Sequence, residues 1–189
     1  MNYGAIKRFD VANGEGVRTT LFVSGCRNRC KNCFQPETWD FNYGNPFTER
    51  EREEIFATMA TSSVRGITIL GGEPMEPENQ KGILPLLREF KARFPEKNVW
   101  LYTGNLYEEL TSGVGMHPKC TEDTEELLSY VDILVDGRFI EEEKDIGLRF
   151  RGSRNQRIID MNKTRLEGKI VIWDGVALDK HYNVENIGK

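Results

Sequence analysis

The sequence has 189 residues, of which 38% are hydrophobic and 30% are charged, proportions typical of a single soluble globular domain. Its net charge of −4 and its pI near 5.4 argue against a nucleic-acid partner, because general nucleic-acid binders are basic. Residues 1–10 lack the apolar core of a secretory signal and no apolar run approaches the ~20 residues of a membrane span, so we expect a cytoplasmic protein without a membrane partner.

Short apolar segments rich in β-branched and aromatic residues alternate along the chain with segments of helical periodicity. The predicted strands cover residues 18–23, 66–70, 98–102, 132–135, 158–160 and 169–173. The predicted helices cover residues 48–61, 80–94 and 106–110 and a segment that starts at Thr121 or Asp123. Thr48 and Glu51 form a capping box for the first helix, and we expect the regular part of the second to begin near Gly82, with Pro85 in its first turn.

Such an alternation of strands and helices indicates an α/β fold with a mostly parallel sheet. Five or six βα units are too few to close a barrel, so we predict an incomplete (partial) βα barrel whose open side leaves room for a large substrate. Residues 1–175 would form this domain, and residues 176–189 would form a C-terminal tail.

Three of the four cysteines lie within eight residues, in the spacing C-x3-C-x2-C, at Cys26, Cys30 and Cys33. Closely spaced thiolates of this kind hold iron–sulfur clusters. A structural zinc site would need a fourth ligand at a set distance, but Cys120 lies far along the chain and neither histidine has a partner at zinc spacing. Three ligands leave one iron of a four-iron cluster open to a group that is not protein, and an open position is how metal sites perform chemistry.

The same spacing would also place the cysteines on one face of a helix, as an apolar stripe. We favour the cluster because Gly25 and Pro36 leave only about ten residues for such a helix, which is short. The residues between the cysteines are polar or basic, as a loop around an anionic cluster requires. The loop also follows the first predicted strand directly, and active sites of α/β folds collect at the carboxyl ends of strands.

Two further strand ends carry polar or glycine-rich segments. The second predicted strand runs into Gly71-Gly72-Glu73-Pro74, and the third ends at Thr103-Gly104-Asn105. Glycines allow close backbone approach to a ligand, and a carboxylate accepts hydrogen bonds from an ammonium group. On turn chemistry alone, the first segment usually means only a tight turn. Its position at a second strand end, in the half of the chain nearest the cysteines, favours a ligand site. For Thr103-Gly104-Asn105, a simple turn explains the sequence equally well.

The Cys26-x3-Cys30-x2-Cys33 motif resembles the signature of the radical S-adenosylmethionine (SAM) enzymes. The resemblance implies that the three cysteines hold a [4Fe-4S] cluster, act in catalysis through it, and leave its fourth iron to the amino and carboxylate groups of SAM. Many members have an aromatic residue just before the third cysteine, where this chain has Asn32. The SAM-binding residues that the resemblance implies are Asn32, Cys33, Phe34, Gly71, Gly72, Glu73 and Thr103.

Five segments narrow the resemblance: NGEGVR, SGC, LYTGN, VDILVDGRFI and RGSRNQR. Together they resemble the activating proteins of anaerobic (class III) ribonucleotide reductase, over nearly the whole chain. The resemblance implies an incomplete barrel of the radical SAM type and a cluster reduced by flavodoxin or ferredoxin. Reductive cleavage of SAM would give methionine and a 5′-deoxyadenosyl radical. That radical would take a hydrogen atom from a glycine Cα of the reductase large subunit, the protein substrate.

Other functions stay open from the sequence. The chain could activate another glycyl radical enzyme, such as pyruvate formate-lyase, act on a metabolite as a small radical SAM enzyme, or be a non-catalytic iron–sulfur or zinc protein. We further hypothesise that the arginines at positions 149, 151, 154 and 157 help to dock the reductase, the alternative being a strand edge guarded by charge. No site is assigned to His117 or Cys120, because a lone histidine or cysteine is usually incidental.

Overall fold

A seven-stranded mixed sheet organises the chain in the computed structural model, which describes residues 1–175. The strands are β1 (Asn2–Asp10), β2 (Val17–Val23), β3 (Asn45–Pro46), β4 (Val64–Gly71), β5 (Asn98–Tyr102), β6 (Ile133–Asp136) and β7 (Arg157–Asp160). Their order in the sheet is β3-β1-β2-β4-β5-β6-β7. The four central strands β2, β4, β5 and β6 run parallel, and the pairs at both edges are antiparallel. The predicted α/β class with a mostly parallel, unclosed sheet is confirmed.

Five α-helices lie between or after these strands in residues 1–175. They are α1 (Glu49–Met59), α2 (Pro77–Arg93), α3 (Tyr107–Leu110), α4 (Thr124–Ser129) and α5 (Met161–Glu167), and short 3-10 helices cover Pro36–Trp39 and Glu141–Glu143. The start of α1 is the predicted capping box, where the Thr48 N–H donates to the Glu51 carboxylate at 2.9 Å. No helix among these combines the length and apolar character needed to cross a membrane.

The two faces of the sheet carry different side chains, as the two-residue period of a strand requires. On one face, Ile67, Ile69, Val99 and Leu101 of β4 and β5 are fully buried in the main core, together with apolar residues of α1 and α2. On the other face, Trp100 heads a smaller cluster with Ile133, Val135 and Ile158. The main core therefore fixes the central strands, whose carboxyl ends reach the same edge of the sheet.

Three predictions of individual elements are wrong. The strand predicted over residues 169–173 forms only a single bridge, between Ile172 and Ile159, and it follows helix α5, which was not predicted. Asp160 caps α5 by accepting the Lys163 N–H at 3.0 Å. Helix α2 begins well before Gly82, so Pro85 lies in its interior and not in its first turn.

Strand β1 was also missing from the prediction. Its nine residues are half-buried or exposed, and its polar and apolar residues do not alternate, so periodicity gives no clear signal. It forms because it lies antiparallel to the buried strand β2, from the pair Tyr3 and Val23 to the pair Asp10 and Arg18. The tail predicted for residues 176–189 lies outside the described residues.

Candidate functional site

A cavity of about 500 Å³ lies at the carboxyl ends of the four parallel strands. Its lining includes every residue for which the sequence predicts a cluster or cofactor role: Cys26, Asn32, Cys30, Cys33, Phe34, Gly71, Gly72, Glu73 and Thr103. Phe34, beside the last cysteine, is 97% exposed, and Ile146, which also lines the cavity, is exposed to the same extent. The structure thus brings the three predicted loops together at one cavity, while their roles as ligands stay predictions.

Residues 24–34, which carry the three cysteines and are called the cysteine loop below, are irregular and not helical. This removes the alternative of an apolar helical stripe. All four cysteines are free, with Cys26 buried and both Cys30 and Cys33 half-buried. Arg29 and Asn32, the residues directly before the second and third cysteines, adopt left-handed backbone conformations with φ of +46° and +54°. Asparagine accepts this conformation more readily than a bulky aromatic side chain. Phe9 and Phe150 adopt the same conformation in this chain, with φ of +58° and +57°, so the turn favours Asn32 but does not exclude an aromatic residue there.

Burial raises the pKa of the Cys26 thiol to about 11, and backbone hydrogen bonds from Asn28 and Arg29 act in the opposite direction. The thiol therefore keeps its proton at neutral pH until a metal displaces it. Within residues 1–175, no three His, Cys, Asp or Glu side chains converge on a point that could hold a single metal ion. A [4Fe-4S] cluster does not require such convergence, since its cysteines bind different irons.

Glu73 ties the three loops at the cavity together. Its fully buried carboxylate accepts four hydrogen bonds: from Thr103 Oγ1 and the Met75 N–H at Oε1, and from Asn28 Nδ2 and the Gly104 N–H at Oε2, all at 2.7–2.9 Å. Burial raises the pKa of this carboxyl, and the four donors oppose that effect. The cysteine loop, the loop after β4 and the loop after β5 therefore share one anchor.

The two glycines before Glu73 permit close contact between backbones. Gly71 has φ of +112°, and a Cβ on Gly72 would lie 2.6 Å from the Gly25 carbonyl oxygen. The Gly72 N–H donates to the Val23 carbonyl at 2.7 Å, and the Glu73 N–H donates to the Gly25 carbonyl at 2.8 Å. Only glycine fits here, because the loop after β4 presses directly on the backbone of the cysteine loop.

A second set of charges holds the other side of the cysteine loop. The fully buried carboxylate of Glu76 accepts the Arg27 N–H at 2.7 Å, pairs with the Arg27 guanidinium at 2.6 Å and with the Lys119 ammonium at 2.5 Å. Arg27 also pairs with Glu78, whose side chain is half-exposed. This arrangement fixes the residue that follows Cys26 to the start of α2, because a buried carboxylate is costly unless its partners stay in place.

Residues of the DGRF and RGSRNQR motifs also line the cavity, and the two motifs contact one another. Asn155 Nδ2 donates to the Arg138 carbonyl at 2.7 Å, and Gln156 Nε2 donates to the Gly137 carbonyl at 3.0 Å. Arg157 pairs with Glu108 and with the buried carboxylate of Asp136. Arg157, 19% exposed, is paired within the chain, whereas Arg154, 65% exposed, presents its side chain to solvent. Docking of a partner by these arginines stays a hypothesis.

Cys120 does not belong to this cavity. Its thiol donates to the carbonyl oxygens of Glu109 at 3.0 Å and Leu110 at 3.3 Å, beside a separate cavity of about 470 Å³ next to α3 and α4. His117 Nδ1 lies 3.3 Å from the Lys119 N–H, within the same loop. Neither residue supplies a fourth ligand to the cysteine loop.

Sequence reasoning assigned no cofactor role to several other residues that line the cavity, among them Asn28, Trp39 and Tyr102. Asn28 had a usable signal, because it lies between the first two cysteines. Trp39 had no predicted functional role, and Tyr102 was predicted only as the end of a strand; the folded backbone brings both to the cysteines. The indole Nε1 of Trp39 and the phenol oxygen of Tyr102 are buried without a hydrogen-bond partner among residues 1–175.

Comparison with known proteins agrees with this geometry. Residues 12–159 match a family described as a 4Fe-4S single cluster domain. The chain is 40% identical over 160 residues to the anaerobic ribonucleoside-triphosphate reductase-activating protein of Vibrio cholerae, an alignment that covers 84% of this chain and 97% of that protein. Proteins of the same name from Enterobacteria phage T4 and Escherichia coli K12 are 37% and 35% identical, over 84% and 82% of this chain and 93% and 96% of their own lengths. The chain therefore belongs to the family of anaerobic ribonucleoside-triphosphate reductase-activating proteins.

Proposed function

We propose that this protein is a radical SAM activating enzyme that generates a glycyl radical on the large subunit of anaerobic ribonucleotide reductase. The observation that carries the proposal is the convergence of Cys26, Cys30 and Cys33 with two ligand-type loops at one cavity, in a chain 35–40% identical to reductase-activating proteins. The partial barrel of the radical SAM type and the domain limits of 1–175 belong to the same proposal, as do a cytoplasmic location and flavodoxin or ferredoxin as electron donor.

The residues at the cavity fit a [4Fe-4S] cluster with one corner free of protein. Three thiols belong to one loop, and the fourth cysteine is bonded to carbonyls of α3 beside another cavity. The buried N–H of Trp39 lies beside this loop without an acceptor among residues 1–175, as expected where an anionic group binds. Arg27, Arg29 and Lys31 make the loop basic, although Arg27 is paired with Glu76 and Glu78 and Lys31 with Glu142.

Cys26, Cys30 and Cys33 would hold the cluster, which would supply one electron from the external donor to the S–C5′ bond of SAM. Methionine would leave, and the 5′-deoxyadenosyl radical would take a hydrogen atom from a glycine Cα. The protein binds and orients the reactants. Gly71, Gly72 and Glu73 would bind the amino end of SAM, Thr103 its ribose, and Asn32, Cys33 and Phe34 would face it from the cysteine loop. Glu73 already holds four donors, so its main effect is to fix the loops whose backbone groups meet SAM.

The decisive experiment is anaerobic cluster reconstitution of the wild-type protein and of the Cys30→Ser and Cys120→Ser variants. We expect about four irons per chain in the wild type and in Cys120→Ser, and almost none retained as a [4Fe-4S] cluster in Cys30→Ser. Addition of SAM should change the electron paramagnetic resonance (EPR) spectrum of the reduced cluster, and dithionite should then yield 5′-deoxyadenosine.

A final incubation with anaerobic ribonucleotide reductase should give the EPR signal of a glycyl radical. A spectrum that SAM leaves unchanged would contradict the mechanism. SAM cleavage without a radical on the reductase would instead retain the radical SAM chemistry and remove the reductase as substrate. Full activity in Cys30→Ser would reject the assignment of the cysteines.

A further inference from the structure

Trp39 is held directly against the cysteine loop. It ends the 3-10 helix Pro36–Trp39, and its carbonyl accepts the Cys26 N–H at 3.2 Å. The preceding carbonyl, that of Thr38, accepts the Gly25 N–H at 2.8 Å. The side chain lines the cavity together with all three cysteines, and the Arg29 guanidinium lies 5.9 Å from the centre of its ring. The backbone of Trp39 is thus fixed relative to Cys26, and the residue lies between the cavity and a second pocket that Cys26 and Arg29 also line.

The indole N–H of Trp39 is buried, yet it has no acceptor among residues 1–175. Buried polar groups in folded proteins almost always have a partner, and each exception calls for a physical cause. An indole N–H can only donate, so its partner must be an acceptor. Tyr102 and Ser24 also have buried hydroxyl oxygens without a partner there, but a hydroxyl can donate or accept and is satisfied in more ways. The unpaired group of Trp39 therefore allows fewer kinds of partner than the two hydroxyls do.

We propose that Trp39 Nε1 donates a hydrogen bond to a sulfur of the iron–sulfur cluster held by Cys26, Cys30 and Cys33, and so raises the reduction potential of that cluster. The inference rests on the cluster of the proposed function. Thiolate and sulfide sulfurs at this cavity would be the acceptors that the N–H lacks. A donated hydrogen bond stabilises the reduced form more, because that form carries one more negative charge on its sulfurs. Trp39 is thus a positioning and tuning residue that need not touch SAM.

The test compares two changes at Trp39 with a matched change elsewhere. Trp39→Phe removes the N–H and part of the ring, whereas benzothienylalanine at this position keeps the bicyclic shape and lacks only the donor. Trp173→Phe is the control, because Trp173 packs on Trp100 and Phe150 in the smaller apolar cluster. Each protein is reconstituted anaerobically without SAM, and its midpoint potential is measured by EPR-monitored redox titration. Exchangeable protons near the cluster are counted by electron–nuclear double resonance (ENDOR) in H₂O and D₂O.

Both changes at Trp39 should lower the equilibrium constant for one-electron reduction about tenfold, a shift of about 59 mV to more negative potential. One exchangeable proton coupling should disappear in both, while Trp173→Phe keeps the wild-type potential and couplings. Unchanged potential and couplings at Trp39, or equal changes in the control, would overturn the inference and leave the proposed function intact. A wild-type protein that assembles no cluster would overturn both.

Discussion

The two ends of the parallel strands contain buried polar groups that are treated in opposite ways. At the amino ends, Arg18 of β2 is fully buried, and burial lowers its pKa to about 10. Its guanidinium donates to uncharged acceptors only: Thr68 Oγ1, Asn98 Oδ1 and the carbonyls of Glu15, Ile67 and Asn98. Trp100 covers it, with 5.4 Å between the guanidinium carbon and the ring centre. Every donor of this cation thus has an acceptor inside the fold.

At the carboxyl ends, several groups are left unmatched. Trp39, Tyr102 and Ser24 have buried polar atoms without partners among residues 1–175, and the apolar side chains of Phe34 and Ile146 are almost fully exposed. At the amino end, the polar groups are paired within the chain and support stability. At the carboxyl end, the unpaired polar groups fit the ligand site that we propose there. The same division is usual in folds built around parallel strands.

The largest effect on stability should follow from replacing Arg18 at the amino ends of the parallel strands. Arg18→Met leaves the oxygen atoms of Thr68, Asn98 and Ile67 without their donor, which should lower the free energy of unfolding by about 3 kcal/mol. Release from the desolvation of a buried cation offsets part of the loss. Guanidinium unfolding of the cluster-free protein, followed by circular dichroism, measures the change. The folded variant should still assemble a cluster.

Arg88→Met is the matched control for that change. Arg88 is half-exposed and pairs with Glu126 on the surface, so its loss should cost less than about 1 kcal/mol. Equal losses for the two arginines would show that the amino end has no special weight. A loss of cluster binding in folded Arg18→Met would show that the two ends are not independent.

An intermediate effect is expected at the carboxyl end from Glu73→Gln. Each carboxylate oxygen accepts one backbone N–H, from Met75 or Gly104, so either orientation of the amide turns an NH₂ group toward a backbone donor. Thr103 and Asn28 can adjust as acceptors, but backbone N–H groups cannot. One unsatisfied donor should cost about 1–2 kcal/mol of unfolding free energy.

Ligand binding distinguishes this variant from a change at the amino end. Equilibrium dialysis on the cluster-loaded protein should show about tenfold weaker SAM binding for Glu73→Gln. Displacement of the loops that Glu73 holds should cost about 1.4 kcal/mol of binding free energy, which corresponds to that factor. Glu126→Gln, at an exposed ion pair, should retain wild-type affinity. Wild-type SAM affinity in Glu73→Gln would show that SAM binding does not depend on how Glu73 holds these loops, and it would contradict the site assignment.

Sequence predicts the parts of this molecule that short segments determine. The capping box at Thr48, the strand Asn98–Tyr102 and the cysteine spacing are all local, and the structure contains each of them. Strand β1 and the single bridge at Ile172 depend on which strand of the sheet has an edge free for pairing. The β-propensity of a segment carries no information on that. The β-branched residues near position 172 accordingly suggested a full strand, whereas the segment adds only one bridge to the sheet.

The same distinction applies to the candidate site. The residues on the three loops were predictable because strand ends in an α/β fold share an edge. The four hydrogen bonds to Glu73 and the unpaired N–H of Trp39 among residues 1–175 were not predictable, because they depend on how residues distant in sequence approach one another. The polar contacts between the DGRF and RGSRNQR motifs likewise explain in physical terms why both motifs occur in one chain.

The smallest effect should come from the exposed part of the carboxyl end, where Arg27 pairs with Glu78. This pair lowers the pKa of Glu78 from 4.5 to about 2, chiefly through the Arg27 hydrogen bonds. A lowered carboxyl pKa adds stability above the unfolded pKa and loses it as the pH falls toward the folded value. Because the glutamate is half-exposed, Glu78→Gln should cost less than about 1 kcal/mol at pH 7.

The deficit of Glu78→Gln should shrink as the pH falls below about 4.5 and should also shrink in 1 M salt at pH 7, because salt screens exposed charges. Denaturant unfolding of wild type and variant across this pH range measures it. A deficit independent of pH and salt would mean that Glu78 acts through packing. The buried bond from the Arg27 N–H to Glu76 remains in the variant, so cluster assembly should be unaffected, and the cysteine loop would then depend on its buried anchors alone.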